Sequence, residues 1–263
     1  MAPITVDGLD IEDATIDGDV VDEITMDGDV VYQASAIPDS GGDHQWNIDE
    51  GSGATIEDSN GGLDGTIDGA TWQSGLGGTD DTILFYDGSD ETHISDSTEM
   101  THWLNDGEGT VFSWIKPTNY SSDRYFVLGS GATDSDKAFG LFFRGDDFRF
   151  RIGDGDDTST VRMMAGTPSD YNDEWIGFGA TADGSTARMY IATPGDYTVT
   201  EIESESVSDT SSGSWTYDVL MGNNPRSSGE NFEGHIDLTI HDSSGMSESG
   251  LQSWVDDTKG FYE

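Results

Sequence analysis

Between His44 and His241 no stretch sustains a helical period. Apolar and polar residues alternate over short runs, and clusters of Gly, Asp, Asn and Ser cut each run off. A period of two puts successive side chains on opposite faces of an extended chain. The sequence is therefore committed to many short strands, and to a fold that closes them against one another. The candidates are 82–86, 109–116, 125–129, 139–144, 148–152, 160–164, 175–181, 186–192, 198–203, 216–221 and 235–241. One segment, Ser247 to Asp257, carries a helical stripe instead: Leu251, Trp254 and Val255 at i, i+3 and i+4. With 33% hydrophobic residues and seven Trp the chain can fill a core, as a disordered acidic tail cannot. The expected fold is an all-β sandwich with one short C-terminal helix.

The first 36 residues are organised differently. Thr5-Val6-Asp7-Gly8, Thr15-Ile16-Asp17-Gly18 and Thr25-Met26-Asp27-Gly28 repeat one unit at ten-residue spacing. Asp-Gly between β-prone residues is a hairpin signal, because glycine takes positive φ without steric cost. The reading is a hairpin-repeat arm over residues 1–36, a Pro/Ser/Gly/Asp linker over 37–43 and one large domain over 44–263. Units this small cannot build a core alone. Ile4, Val6, Ile16, Val20, Val21, Ile24, Met26, Val30 and Val31 are thus expected to be buried against copies of the same arm in a homo-oligomer, or against a shell protein beneath it.

At residues 44–72 the sequence runs HQWNIDEGSGATIEDSNGGLDGTIDGATW. This resembles the opening of laminin G-like domains of the concanavalin A-like jelly-roll superfamily: a W-x-φ-D-E-G-S-G strand, an Asp-Ser-x-G loop, an x-D-G-T strand and a Trp. TVFSWIKP (110–117), EWIGFGATADGSTARMYI (174–191) and FEGHIDLTIHDSSGMSESGLQSWV (232–255) resemble later landmarks of the family in the same order. His241 stands where the family usually has Tyr, and Thr193-Pro194-Gly195 where it often has Asp-Gly. The resemblance implies a jelly-roll sandwich over about 44–260. It leaves function open, since the fold hosts lectins, adhesion modules, glycanases and lyases.

Charge narrows the classes. Ten Lys plus Arg stand against 53 Asp plus Glu, a formal net charge of −43. Such a surface needs dense counter-ion screening by salt cations and suits a proteome adapted to near-saturating salt, as in halophilic archaea. It offers no basic surface for nucleic acid. There is no cysteine and no apolar run long enough to insert in a membrane. Met1-Ala2-Pro3-Ile4-Thr5 shows neither a twin-Arg nor an apolar signal core, so export by a signal peptide is not expected. Asp-Gly hairpins ahead of a binding domain resemble N-terminal segments of structural proteins of haloarchaeal tailed viruses. That resemblance implies a virion-surface protein (turret, capsid decoration or tail fibre) outside the cell, with shell or tail proteins and a host surface glycan or glycoprotein as partners. The alternatives are a glycan-processing enzyme and a carbohydrate-binding module of an archaeal surface protein.

Three constellations are candidates for chemistry. Glu201, Glu203 and Glu205 alternate as the paired carboxylates of a glycanase would, but no aromatic residue shares their face to raise a pKa. A solvated strand is the plainer reading, and no catalytic residue is assigned. Arg149 and Arg151 alternate with Phe148, Phe150 and Ile152, and Arg188 and Tyr190 alternate with Ala187, Met189 and Ile191. If the apolar sets face the core, Arg149, Arg151, Arg188 and Tyr190 share one outer face suited to an anionic glycan. The alternative is that these arginines pair with neighbouring carboxylates. Finally, the laminin G-like resemblance implies a structural Ca²⁺ joining the loop at 57–65 to the last strand, through Asp58, Asp64 and Asp237 with Gly61 or Gly62 carbonyls. Plain turn chemistry is the other reading of that loop.

Overall fold

The structure, a computed structural model, describes residues 37–74, 82–94, 103, 106–118, 124–129, 138–153, 161–207, 219–223 and 231–262, and the backbone of five strands between residues 4 and 33. The chain divides into two compact units, Met1–Ile37 and Pro38–Glu263.

In the first unit β1 (Ile4–Val6) pairs with β2 (Leu9–Ile11), and β3 (Ala14–Asp17), β4 (Val20–Met26) and β5 (Asp29–Gln33) form a three-stranded antiparallel sheet. Val6 pairs with Leu9, Asp17 with Val20 and Met26 with Asp29. Asp17 of the second repeat is the last residue of β3, and the residues between the paired strands lie outside the described ones. The side chains of this unit, whose burial the sequence leads one to expect, lie outside the described residues.

The second unit holds β6 (His44–Trp46), β7 (Thr55–Ile56), β8 (Gly65–Asp68), β9 (Thr71–Ser74), β10 (Thr82–Asp87), β11 (Glu91–Ile94), β12 (Glu108–Pro117), β13 (Arg124–Gly129), β14 (Ala138–Arg144), β15 (Phe148–Gly153), β16 (Val161–Ala165), β17 (Ile176–Asp183), β18 (Thr186–Ala192), β19 (Val199–Ser206), β20 (Val219–Met221), β21 (Glu233–Asp242) and helix α1 (Glu248–Thr258). They form two eight-stranded antiparallel sheets. One runs β19-β18-β17-β12-β21-β10-β9, with β6 also on β21. The other, called here the far sheet, runs β16-β15-β14-β13-β20-β11-β8-β7. Their inner faces meet in a single core, where Phe178 of β17 lies 4.8 Å from Phe148 and 5.6 Å from Phe143, ring to ring. This is a jelly-roll β-sandwich of the expected class.

The outer face of the first sheet is sealed by α1 and the turn after it. Ser247 caps the helix, its Oγ accepting from the Gly250 N–H. The stripe at Leu251, Trp254 and Val255 is buried, with Trp254 edge-on to Phe112 at 5.6 Å. Trp114 stacks on Tyr262 at 4.2 Å and donates its Nε1–H to Thr258 Oγ1. Phe112 lies across Gly177 and Gly179, where a Cβ would come within 2.6 and 2.4 Å of its ring, so neither position has room for a side chain. Trp103, near a loop in the sequence, where packing beneath the loop is the plainer expectation, is fully buried. It stacks on Phe139 and donates its Nε1–H to His241 Nε2 at 3.0 Å. Trp215, the other loop Trp, lies outside the described residues.

Candidate functional site

The structure splits the four residues read as one ligand face. Arg149 and Arg151 lie on β15, where Phe148, Phe150 and Ile152 belong to the core, so both arginines face out from the far sheet. Arg188 and Tyr190 lie on β18, where Ala187, Met189 and Ile191 fill the core, so they face out from the other sheet, the side that α1 covers. Alternation gave inside against outside correctly. It could not say that β16 and β17 belong to different sheets. Tyr190 is buried, and Arg188 is held by Asp183 at 2.9 Å and Glu201 at 3.6 Å. These two residues are packing and ion-pairing groups, and they leave the candidate site.

What remains on the far sheet gains neighbours that the sequence did not single out. Arg149 stands opposite Phe142 of β14 and Met164 of β16, and Arg151 stands opposite Gly140 and Arg162. Directly opposed residues share a face. Phe142 is 9% exposed and lies outside the central core, whereas Met164 is 52% exposed. One Arg149 amino group donates to Asp147 at 2.9 Å. Further along the same outer face, His93 and Glu91 of β11 form a 2.6 Å hydrogen bond, and Asn223 Nδ2 donates to the second Glu91 oxygen. Arg162 and Met164 were legible as an alternating pair; β11 was too short to announce itself.

The three carboxylates proposed for Ca²⁺ are not brought together. Asp58 Oδ1 accepts from the backbone N–H groups of Gln45, Asn60 and Gly61, and Oδ2 from Leu63 N–H and His44 Nδ1–H at 2.7 Å. Burial pushes this carboxyl up, but the His44 bond and the N–H groups of Gln45, Leu63 and Gly61 outweigh it and hold it well below the usual carboxylate range. A carboxylate already filled by five N–H donors is a loop organiser. Donors pointing inward are the wrong environment for a cation. Asp64 joins it by accepting from Asp58 N–H. Asp237 lies elsewhere. A bulge in β21 sets Asp237 and Leu238 against Trp114, so Asp237 faces the layer under Tyr262, whose hydroxyl donates to it at 3.1 Å. Among the described residues no group of three or more His, Asp or Glu side chains could hold a metal ion. The residues present do not fit the calcium site that the resemblance implied. The acidic loop Asp154-Gly155-Asp156-Asp157, which in sequence also offers oxygen ligands but reads more plainly as a hairpin turn, lies outside the described residues.

A second bulge undoes the glutamate row. Glu201 stands opposite Tyr190 and Glu203 opposite Met189, with Ile202 as the extra residue. Glu201 therefore faces outward with Arg188, whereas Glu203 and Glu205 turn to the other side, where Glu205 accepts from the Arg162 backbone N–H at 2.8 Å. All three are exposed on an edge strand. The bulge splits the row of three, and the charges guard the edge against strand addition.

No protein-family model matches the chain, and no curated protein matches it. Solved structures do. The receptor-binding domain of the botulinum neurotoxin C/D mosaic serotype aligns with a TM-score of 0.60 at 13% identity, over 82% of this chain and 51% of that one. The binding domain of botulinum neurotoxin serotype D aligns at 0.58 and 14%, over 81% and 51%. Domain 4 of AbnA, a GH43 extracellular arabinanase from Geobacillus stearothermophilus, in complex with arabinotriose, aligns at 0.58 and 15%, over 81% and 97%. The chain spans about half the length of the neurotoxin domains. At these identities the likeness establishes the β-sandwich fold. Two of these neighbours are named as binding domains, and the third was solved in complex with arabinotriose.

Proposed function

We propose that the sandwich is a non-catalytic carbohydrate-binding domain whose ligand lies on the outer face of the far sheet, over β14–β16. The observation that carries the reading is the juxtaposition of Arg149 and Arg151 with Phe142 and exposed Met164 on that face, while α1 seals the face opposite. Guanidinium forks bind sugar oxygens and substituents, and flat apolar groups take the C–H face of a ring. Names describing receptor binding and an arabinotriose complex among the structural neighbours support it. The finer reading is a surface protein of a halophilic archaeal virus, extracellular once released, that contacts host surface glycans. Residues 1–36 would anchor it to copies of itself and to shell or tail proteins. The acidic composition and the separate hairpin unit support this part.

The binding test is attachment of labelled full-length protein to host envelopes before and after mild periodate oxidation of their glycans. Oxidation should remove most attachment; attachment that survives it unchanged would sink the carbohydrate reading. The arm is tested separately, by light scattering in high salt of residues 38–263 beside the full chain. The truncated protein should be a folded monomer and the parent an oligomer. A truncated chain with the parent's oligomeric state would show that the arm does not assemble it.

A further inference from the structure

The distribution of the scarce cations specifies more than a sugar. The chain has ten basic residues against 53 acidic ones, yet the four adjacent strands β13–β16 carry five arginines and not one Asp or Glu. Four of the five have described side chains, all on the outer face: Arg144, Arg149, Arg151 and Arg162 alternate with core residues such as Phe143, Phe150 and Met163. Arg151 and Arg162 are direct cross-strand partners. In this chain a carboxylate is the commoner residue by five to one, so two arginines set directly opposite each other depart from its composition. Across from Arg151 on the other side stands Gly140, which has no side chain to occupy the place.

We propose that this face binds an anionic glycan through its carboxylate or sulfate groups, with Arg151 and Arg162 gripping the anion and Phe142 and Met164 supporting the ring. The proposal rests on the carbohydrate reading above and deepens it. Arg149 already shows the chemistry in miniature, its amino group donating to the Asp147 carboxylate. A planar fork matches both carboxylate and sulfate geometry at short range. At a net charge of −43 the chain as a whole repels a polyanion. Retention of one must therefore come from a local grip, which makes overall charge an internal control.

The experiment measures binding of the full chain to immobilised polygalacturonate, dextran sulfate and neutral dextran at one fixed, molar KCl concentration. Binding is expected to one or both polyanions, the stronger of them identifying carboxylate or sulfate, and not to dextran. Arg151→Gln with Arg162→Gln should weaken it at least about tenfold. Arg162→Glu alone, at an exposed position that spares the fold, should do the same. Arg188→Gln, on the opposite sheet, should change nothing. Equal binding to dextran, or wild-type binding by a folded Arg162→Glu variant, would overturn the anionic class while leaving periodate-sensitive attachment to envelopes intact. Failure to bind any of the three overturns it too. So does self-association of the chain that Arg162→Glu abolishes, because the face would then belong to a second copy.

Discussion

Asp58→Ala should cost about 3–5 kcal/mol of folding free energy, the range for stripping one partner from a buried, fully hydrogen-bonded charge. Five donors lose their acceptor at once: four backbone N–H groups of the 45–63 region and the His44 imidazole. Three of them, from His44, Gln45 and Leu63, belong to buried residues and cannot turn toward water, whereas the Asn60 and Gly61 groups are exposed. At roughly 2–4 °C per kcal/mol for a domain of this size, the melting midpoint should fall by about 10 °C or more. Asp58→Asn keeps the acceptor for three of the donors and should fall between. Thermal unfolding of the three proteins in the same high-salt buffer measures this; an Ala variant within 1–2 °C of the parent would refute the role given to Asp58. The pH dependence adds a signature. The folded pKa of Asp58 is depressed, so its contribution is complete above the ordinary carboxylate range and drains away as pH falls below about 4. His235 acts in an earlier window. Burial, then the charge of Lys116, push its pKa from 6.5 down to about 4, so stability present above 6.5 is lost between 6.5 and 4. Asp58→Asn should flatten the acid limb and leave the His235 window unchanged.

Lowering salt should have the other large effect. Fifty-three carboxylates face ten cations, and several of those cations are already committed locally: Arg149 to Asp147, Arg188 to Asp183 and Glu201, Lys259 to Asp256. Ten cations cannot match 53 carboxylates, so most of the carboxylates are compensated by cations from solution. The screening length is about 10 Å at 0.1 M salt and about 3 Å at 1 M, so neighbouring carboxylates on a strand such as β19 feel one another in dilute buffer and hardly at all in brine. The midpoint should climb by at least about 10 °C from 0.1 M to multimolar KCl, roughly 3–5 kcal/mol on the same scale. A midpoint independent of salt over that range would show that the acidic surface carries no net repulsion.

Sequence reading was reliable where a strand was long enough to alternate. The runs at 109–116, 139–144, 148–152 and 186–192 stand within one or two residues of β12, β14, β15 and β18, and the stripe at Leu251, Trp254 and Val255 became α1. β7, β8, β9 and β11 have two to four residues, too few for a period to register, and are fixed by long-range pairing. The candidate site failed for a related reason. Alternation told which residues of β15 and β18 point outward, but only the sheet order places those strands on opposite sides of the sandwich. The glutamate row and the calcium triad were undone by bulges at Ile202 and at Asp237–Leu238, single-residue insertions that no composition reveals. Asp58 was visible as turn chemistry. The five donors filling it, from His44 to Leu63, come from two segments separate in the chain, and only the fold counts them together.

The position of β21 governs how such a molecule is made. It is flanked by β12 on one side and by β10 and β6 on the other, and it follows all three in the sequence. A ribosome therefore extrudes the first strand of the sandwich almost two hundred residues before the strand it must pair with. Until residue 242 emerges, β6 and β10 have no neighbour in the middle of their sheet, and their apolar faces stay uncovered. High contact order of this kind makes folding slow, on a scale of milliseconds to seconds, and places it after translation. In the interval the chain's own charge is its protection: nascent strands that repel one another cannot aggregate while they wait for their partner.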